Sequence, residues 1–240
     1  MLGAGRLVLT ESMTTADIPL LDITAWREGS ADKRERVAAR LDATLRSSGF
    51  ALIENHGIPA SLREGIRAEA GKFFALPPER KAPYATPVGG RGWIPQGGEA
   101  NAYYGKVADP ALADMKESLT IGRNFRTGDE QADKAWFAPN VWPAECPGLE
   151  ALCERFTAQV RDLYYDLLRM CATALALPED WFVSRTLRAP HTFNINRYPP
   201  MSSRGMSGLV MTPVTMARAG YANSRARFPA GDRYRRLSRR

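Results

Sequence analysis

The chain has 240 residues, 44% of them hydrophobic, which is enough to bury the core of one large or two small domains. It has no run of about 20 apolar residues that would predict a membrane span. Its three cysteines lack zinc-site spacing, which favours reduced thiols in a cytoplasmic protein. The net charge of +7 is uneven, because residues 201–240 carry nine Arg and one acid, whereas residues 1–200 carry 24 basic and 25 acidic residues. The basic character that could attract nucleic acid therefore belongs to the last 40 residues alone.

The N-terminal part predicts a strand followed by a helix. Residues 1–17 are interpreted as an N-terminal extension, too mixed in composition for a secretory signal peptide, with Met13 as an alternative start. A first strand is predicted from Ile18 to Ile23. The helix that follows, from Ala31 to Ser47, has one apolar stripe at a spacing of four residues, and Gly49 is expected to end it.

A second strand and a second helix come next. The apolar run from Phe50 to Ile53 predicts a buried strand, and residues 55–59 predict a turn. Ser61 is expected to cap the next helix, with Glu64 as its capping-box partner, and Pro77 to stop it. The inner face of this helix is predicted from apolar residues at helical spacing, namely Leu62, Ile66, Ala70, Phe73 and Phe74.

The middle of the chain predicts a long loop, one strand and one long helix. The loop covers residues 86–109, and its Gly89-Gly90-Arg91-Gly92 run lacks the Lys-Ser/Thr pair of a phosphate-binding P-loop. A strand is predicted from Lys116 to Gly122. After a proline-rich connection over residues 139–148, apolar residues spaced by three or four predict a core-spanning helix from Leu149 to Leu177.

The last patterned stretch runs from Pro190 to Pro200. Polar residues alternate with Phe193, Ile195 and Arg197, so we predict a short strand whose polar face carries Asn196 and Tyr198. Such a face suits a small polar ligand, although many ordinary strands also have one wet face.

Residues 18–200 resemble the N-terminal part of the isopenicillin N synthase-like 2-oxoglutarate/Fe(II)-dependent dioxygenases. The resemblance rests on an ordered series of short motifs rather than on any single one. The motifs are Ile18-Pro19-Leu20-Leu21-Asp22, Gly49-Phe50, Asn55-His56-Gly57-Ile58-Pro59, Phe73-Phe74-Ala75-Leu76-Pro77, Lys81, Gly92-Trp93, Asp114-Met115-Lys116-Glu117 and Asn196-Arg197-Tyr198-Pro199-Pro200.

The resemblance implies an α+β fold in which helices flank a double-stranded β-helix, or jelly roll, that is incomplete in this chain. It implies a non-haem dioxygenase N-terminal region at 18–135, then a support helix and the first barrel strands at 136–200. It also implies Fe(II) and 2-oxoglutarate as cofactors, a small-molecule substrate, a role in secondary metabolism and a monomer without membrane or nucleic-acid partners. Asn196 and Tyr198 match family residues that line the 2-oxoglutarate pocket, where amide and phenol groups hydrogen-bond a carboxylate. Arg197 alternates to the other face and is left out.

The chain departs from the family at the iron ligands. The family holds iron with a His-x-Asp pair and a distant His, which leave coordination positions open for the oxoacid and O2. This sequence has two histidines, His56 and His191, and neither is followed by Asp two residues later. We therefore expect no metal ligands and no catalytic residues in the chain as written, and an enzyme by family that is not competent.

Residues 201–240 predict a basic, disordered tail. They are rich in Arg, Ala, Gly and Ser, contain no Lys, and stand where the relatives have their iron-binding barrel. We hypothesise a shift of the reading frame near codon 200, and expect the product to be poorly stable. Two alternatives stay open, which are a non-catalytic small-ligand-binding module and, through the Arg-rich tail, a nucleic-acid-associated protein.

Overall fold

The computed structural model describes residues 18–99 and 114–199. The predicted N-terminal extension and the basic tail lie outside these residues, as do the reading-frame hypothesis and the nucleic-acid alternative that depend on the tail. The described residues divide into two units, one formed by residues 18–84 and 142–189 and the other by residues 85–99, 114–141 and 190–199. The boundaries of these units differ from those of the regions predicted from the sequence, 18–135 and 136–200. Those regions describe segments of the family and stay predictions.

The first unit combines a two-stranded parallel sheet with helices. Its elements are β1 (Leu20–Asp22), α1 (Thr24–Glu28), α2 (Ala31–Ser48), β2 (Leu52–Glu54), α3 (Ala60–Phe74), α4 (Pro78–Lys81), α6 (Leu149–Ala174) and α7 (Val183–Thr186). Helix α6 packs against both α2 and α3. None of the helices in the described part of the chain is long and apolar enough to cross a membrane.

The core of this unit lies where one face of the small sheet meets α1, α2 and α6. Its buried residues are Leu21, Ile23, Trp26, Ala38, Leu41 and Met170. The prediction that the second strand is buried is wrong in part, since Phe50 is 60% and Leu52 is 53% exposed. The reason is the period of the strand, because neighbouring side chains point to opposite faces and this sheet packs only the face that carries Leu21 and Ile53.

The predicted C-terminus of α2 is confirmed, and the predicted N-cap of α3 is wrong. Gly49 does end α2, since it adopts a left-handed backbone (φ 73°) and its N–H donates to Leu45 O at 3.0 Å. The capping role predicted for Ser61 is wrong, because α3 begins at Ala60 with Pro59 as its N-cap residue and without a side-chain cap. Ser61 thus lies inside the first turn. The five residues predicted for the inner face of α3 are all buried, as expected.

The long helix α6 is confirmed but ends at Ala174, three residues before the predicted end. Ala176 has φ of 53°, which breaks the helical path before Pro178 is reached. Four short helices of the described residues, α1, α4, α5 (Glu130–Trp136) and α7, were not predicted, since four to seven residues are too few for a helical period to be recognised in the sequence.

The second unit is built on a three-stranded antiparallel sheet in the order β3-β4-β5, with β3 at Gly92–Ile94, β4 at Glu117–Gly122 and β5 at Thr192–Arg197. Strands β4 and β5 were predicted within a few residues at each end. Strand β3 lies inside the stretch predicted as a loop, so that part of the prediction is wrong. Helix α5 (Glu130–Trp136) completes the unit. The mixed helix-and-sheet class is confirmed, and the incomplete jelly roll remains a prediction.

Candidate functional site

The central strand β4 is buried on both faces, and the two faces differ in chemistry. Ser118 and Thr120 point to one face and are 1% and 3% exposed, whereas Leu119 and Ile121 point to the other and are 0% and 2% exposed. Buried hydroxyl groups need hydrogen-bond partners, and an apolar core does not supply them. The first face therefore requires polar neighbours or a polar ligand.

Strand β5 supplies these polar neighbours. In the antiparallel register, Ser118 lies opposite Asn196, Thr120 opposite Asn194, and Gly122 opposite Thr192. Because directly opposed residues project to the same side of a sheet, the six positions form one strip of side chains, which we call the polar face. The polar side of β5 that the sequence predicted is part of this surface.

Asn196 has a fixed position on the polar face. The Ser118 hydroxyl donates to Asn196 Oδ1 at 2.9 Å, and Ser118 Oγ lies 3.4 Å from both Lys116 Nζ and Glu99 Oε2. Lys116 is 6% exposed and pairs with Glu99 and, at 3.7 Å, with Asp114. Since Oδ1 is held as an acceptor, the Asn196 side chain presents its NH2 group as the donor for a ligand.

Tyr198, the other residue predicted to bind the cofactor, lies one residue beyond β5. Its side chain is 53% exposed. The alternation of β5 directs this position toward the polar face, but the strand itself ends at Arg197. The pocket roles of Asn196 and Tyr198 both stay predictions.

The opposite end of the polar face carries a guanidinium group. Arg91 Nη1 donates to Thr192 Oγ1 at 3.3 Å and Nη2 donates to Trp136 O at 3.2 Å. A Cβ atom built on Gly122 would collide with Arg91 Cζ, so the guanidinium rests directly on this glycine. Burial lowers the pKa of the Arg91 guanidinium from its usual value, yet an arginine stays charged at neutral pH.

On the other face of the sheet, the Glu117 carboxylate accepts hydrogen bonds from side chains of both neighbouring strands. Glu117 Oε2 accepts from Trp93 Nε1 at 2.9 Å, and Oε1 accepts from Arg197 Nη1 at 2.7 Å. One residue thus connects side chains from all three strands. Arg197 is engaged on this face, in agreement with its exclusion from the predicted pocket.

The two histidines do not match the His-x-Asp pattern of a two-histidine, one-carboxylate iron centre. His56 Nδ1 accepts the Ile58 N–H at 3.0 Å, so this nitrogen serves the turn in which it lies. His191 directly precedes β5, and neither histidine belongs to a His-x-Asp pair. Within residues 18–99 and 114–199, no three His, Cys, Asp or Glu side chains lie close enough together to hold a metal ion.

The sequence matches a known family over more than half of its length. A profile of the family described as non-haem dioxygenase in morphine synthesis, N-terminal, matches residues 18–145 of the 240. The chain belongs to the 2-oxoglutarate/Fe(II)-dependent dioxygenase family. Among its curated relatives, the validamycin A dioxygenase of Streptomyces hygroscopicus subsp. limoneus is 31% identical over 197 residues, which cover 80% of this chain and 53% of that protein. The chain spans about half the length of the curated relatives it matches.

Solved structures agree with this assignment. A full-length Neurospora crassa protein, crystallised in complex with alpha-KG, matches with a TM-score of 0.64 at 25% identity, over 80% of this chain and 58% of that one. A putative 2OG-Fe(II) oxygenase family protein from Caulobacter crescentus matches with a TM-score of 0.63 at 28% identity, over 78% of this chain and 58% of that one. The resemblance inferred from the short motifs is thus confirmed at the level of the family.

Several residues of the polar face were missed by the sequence analysis. Ser118 and Thr120 carry a readable signal, because polar residues alternate with Leu119 and Ile121 along β4 just as they do along β5. Arg91 carries none, since its place beside Thr192 depends on a contact between residues that are 101 positions apart in the sequence.

Proposed function

We propose that this dioxygenase chain supplies the 2-oxoglutarate-binding wall of an oxygenase that acts on a small molecule, and that as written it does not hold the catalytic iron. The observation that carries the proposal is the hydrogen bond from Ser118 to Asn196 Oδ1, which leaves the Asn196 NH2 group as the donor for a ligand. A carboxylate is the chemical group best suited to accept from such a donor. The name of the validamycin A dioxygenase supports a small molecule as the substrate class.

In this proposal the residues around the end of β5 have different roles in binding. The Asn196 NH2 group and the Tyr198 hydroxyl donate to a carboxylate of 2-oxoglutarate. Ser118 keeps the Asn196 amide in one orientation, and the buried Lys116 ammonium holds Glu99 and Asp114 beneath it. When bound in such oxygenases, 2-oxoglutarate supplies the electrons that accompany the reduction of O2. Since the iron ligands do not fit, the proposal for this chain is limited to binding.

Calorimetric titration of the full chain with 2-oxoglutarate tests the proposal. Asn196→Asp keeps the shape and the acceptor for Ser118 but replaces the donor with a like charge, so we expect affinity to fall about tenfold or more. Asn124→Asp adds the same charge at an exposed position of the same unit and serves as the matched control. Equal affinities of the two variants would contradict the role of Asn196.

A second candidate is a non-catalytic small-ligand-binding module. The observation that favours it is the chemistry of the two histidines, since one is engaged in a turn and neither precedes an aspartate by two residues. Both candidates predict no succinate, so the identity of the ligand separates them. Binding of 2-oxoglutarate that is weakened by Asn196→Asp would support the 2-oxoglutarate wall, and failure to bind 2-oxoglutarate would leave the module with a different ligand.

A further inference from the structure

The Arg91 end of the polar face combines a cation with a buried hydroxyl that lacks a partner. Thr120 is 3% exposed, and its Oγ1 makes no hydrogen bond in the described part of the chain. A buried hydroxyl without a hydrogen-bond partner destabilises the fold, so a ligand that pairs with it is favoured. Its neighbour on β5, Asn194, is exposed.

No carboxylate among residues 18–99 and 114–199 is paired with this cation. The partners of the Arg91 guanidinium among the described residues are the Thr192 hydroxyl and the Trp136 carbonyl, and both are uncharged. Desolvation is the cause of its lowered pKa, as expected for a partly buried arginine without an adjacent carboxylate. The guanidinium fork therefore keeps a positive charge that an anion can meet with two parallel hydrogen bonds.

The spacing of these groups fits one carboxylate. Gly122, on which the Arg91 guanidinium rests, and Thr120 are two residues apart on β4, or about 7 Å along the strand. A carboxylate placed between them can bridge donors at this separation, with about 2.8 Å from each oxygen to its donor. Since Thr120 Oγ1 is both a donor and an acceptor, it can also hydrogen-bond a neutral part of the same ligand.

We propose that Arg91, Thr192 and Thr120 form a second carboxylate subsite on the polar face, which selects a small-molecule substrate that carries a carboxylate group. This inference rests on the proposed function, because it takes the Asn196 end to be the place of 2-oxoglutarate. Thr192 and Asn196 are four residues apart on β5, or about 13 Å along the strand. An extended 2-oxoglutarate with a hydrogen bond at each end comes close to this span, so the titration with 2-oxoglutarate below decides whether the two ends take separate ligands.

Fluorine NMR of the full chain with 4-fluorobenzoate as the probe tests the subsite. We expect 4-fluorobenzoate to bind at least about tenfold more tightly than 4-fluorobenzamide, which has the same shape without the charge. Arg91→Met should remove this preference, Arg91→Lys should keep part of it, and Arg126→Met, at an exposed arginine of the same unit, should leave it unchanged. Equal binding of acid and amide, or a preference that survives Arg91→Met, would overturn the proposal.

A second variant, Thr120→Val, tests the subsite independently in case Arg91→Met does not fold. Thr120→Val removes only the unpartnered hydroxyl, so we expect an unchanged or raised Tm together with weaker binding of 4-fluorobenzoate. A lowered Tm with unchanged binding would contradict the assignment of this hydroxyl to a ligand.

Titration with 2-oxoglutarate separates this inference from the proposed function. We expect Arg91→Met to leave 2-oxoglutarate affinity unchanged. If 4-fluorobenzoate depends on Arg91 while 2-oxoglutarate does not bind at all, the proposed function fails and the anion subsite stands. If Arg91→Met weakens 2-oxoglutarate as much as 4-fluorobenzoate, the subsite belongs to the cosubstrate and the inference is overturned.

Discussion

Replacement of Lys116 by Met tests whether the ion pairs of Lys116 with Glu99 and Asp114 stabilise the second unit. The Lys116 side chain is 6% exposed, and its partners Glu99 and Asp114 are 21% and 18% exposed. Removal of one partner from a fully buried ion pair costs about 3–5 kcal/mol, because the remaining charge is left without compensation. Since the two carboxylates retain some contact with water, we expect Lys116→Met to lower the free energy of unfolding by about 2–3 kcal/mol.

Urea unfolding of the full chain, followed by circular dichroism, measures this difference. Lys134→Met removes an exposed lysine from the same unit and should change stability by less than about 0.5 kcal/mol. Glu99→Gln combined with Lys116→Met should cost at least about 1 kcal/mol less than the two single changes together, because the double variant no longer leaves the Glu99 charge unpaired. Strict additivity, or a Lys116→Met variant as stable as Lys134→Met, would refute the reasoning.

Three further changes test other parts of the fold. Gly49→Ala places a side chain at φ 73° and should destabilise the chain by about 1 kcal/mol in thermal unfolding, whereas an unchanged Tm would argue against the left-handed cap. Hydrogen bonds from Thr127 hold the pKa of the Asp133 carboxyl below its usual 3.8, so its contribution is present above pH 3.8 and is lost as the pH falls through the folded-state pKa. The stability gap to Asp133→Asn should therefore close on acidification, and a gap independent of pH would contradict this. Burial raises the pKa of the Cys153 thiol to about 12, so iodoacetamide at a pH of about 8 should modify it only after unfolding, and rapid modification of the folded chain would argue against its burial.

The sequence predicted the elements that have a long or strict period. Helices α2, α3 and α6 each bury a stripe of apolar residues, and β5 alternates polar and apolar positions over most of its length, so these elements were recognised. Strand β3 has three residues in a glycine-rich stretch, which is too short for a period to appear. Its pairing with β4 is a long-range contact that single-residue propensities do not encode.

The candidate site was predictable only in part for the same reason. Asn196 and Tyr198 were found because a family motif carries them. The network that orients Asn196 joins Glu99, Lys116 and Ser118, of which Ser118 is 78 positions away from Asn196 in the sequence, and only the β4–β5 register brings these residues together. The absence of the His-x-Asp pair, by contrast, is a property of the sequence itself and needed no structure.

The most direct test of the central claim is a calorimetric titration of the full chain with 2-oxoglutarate, carried out with and without Fe(II), followed by assay of the mixture for succinate. We expect one 2-oxoglutarate affinity that is the same with and without Fe(II), and no succinate. Tighter binding in the presence of Fe(II) together with succinate release would contradict the claim that this chain does not hold the iron. A complete lack of 2-oxoglutarate binding would contradict the assignment of the polar face.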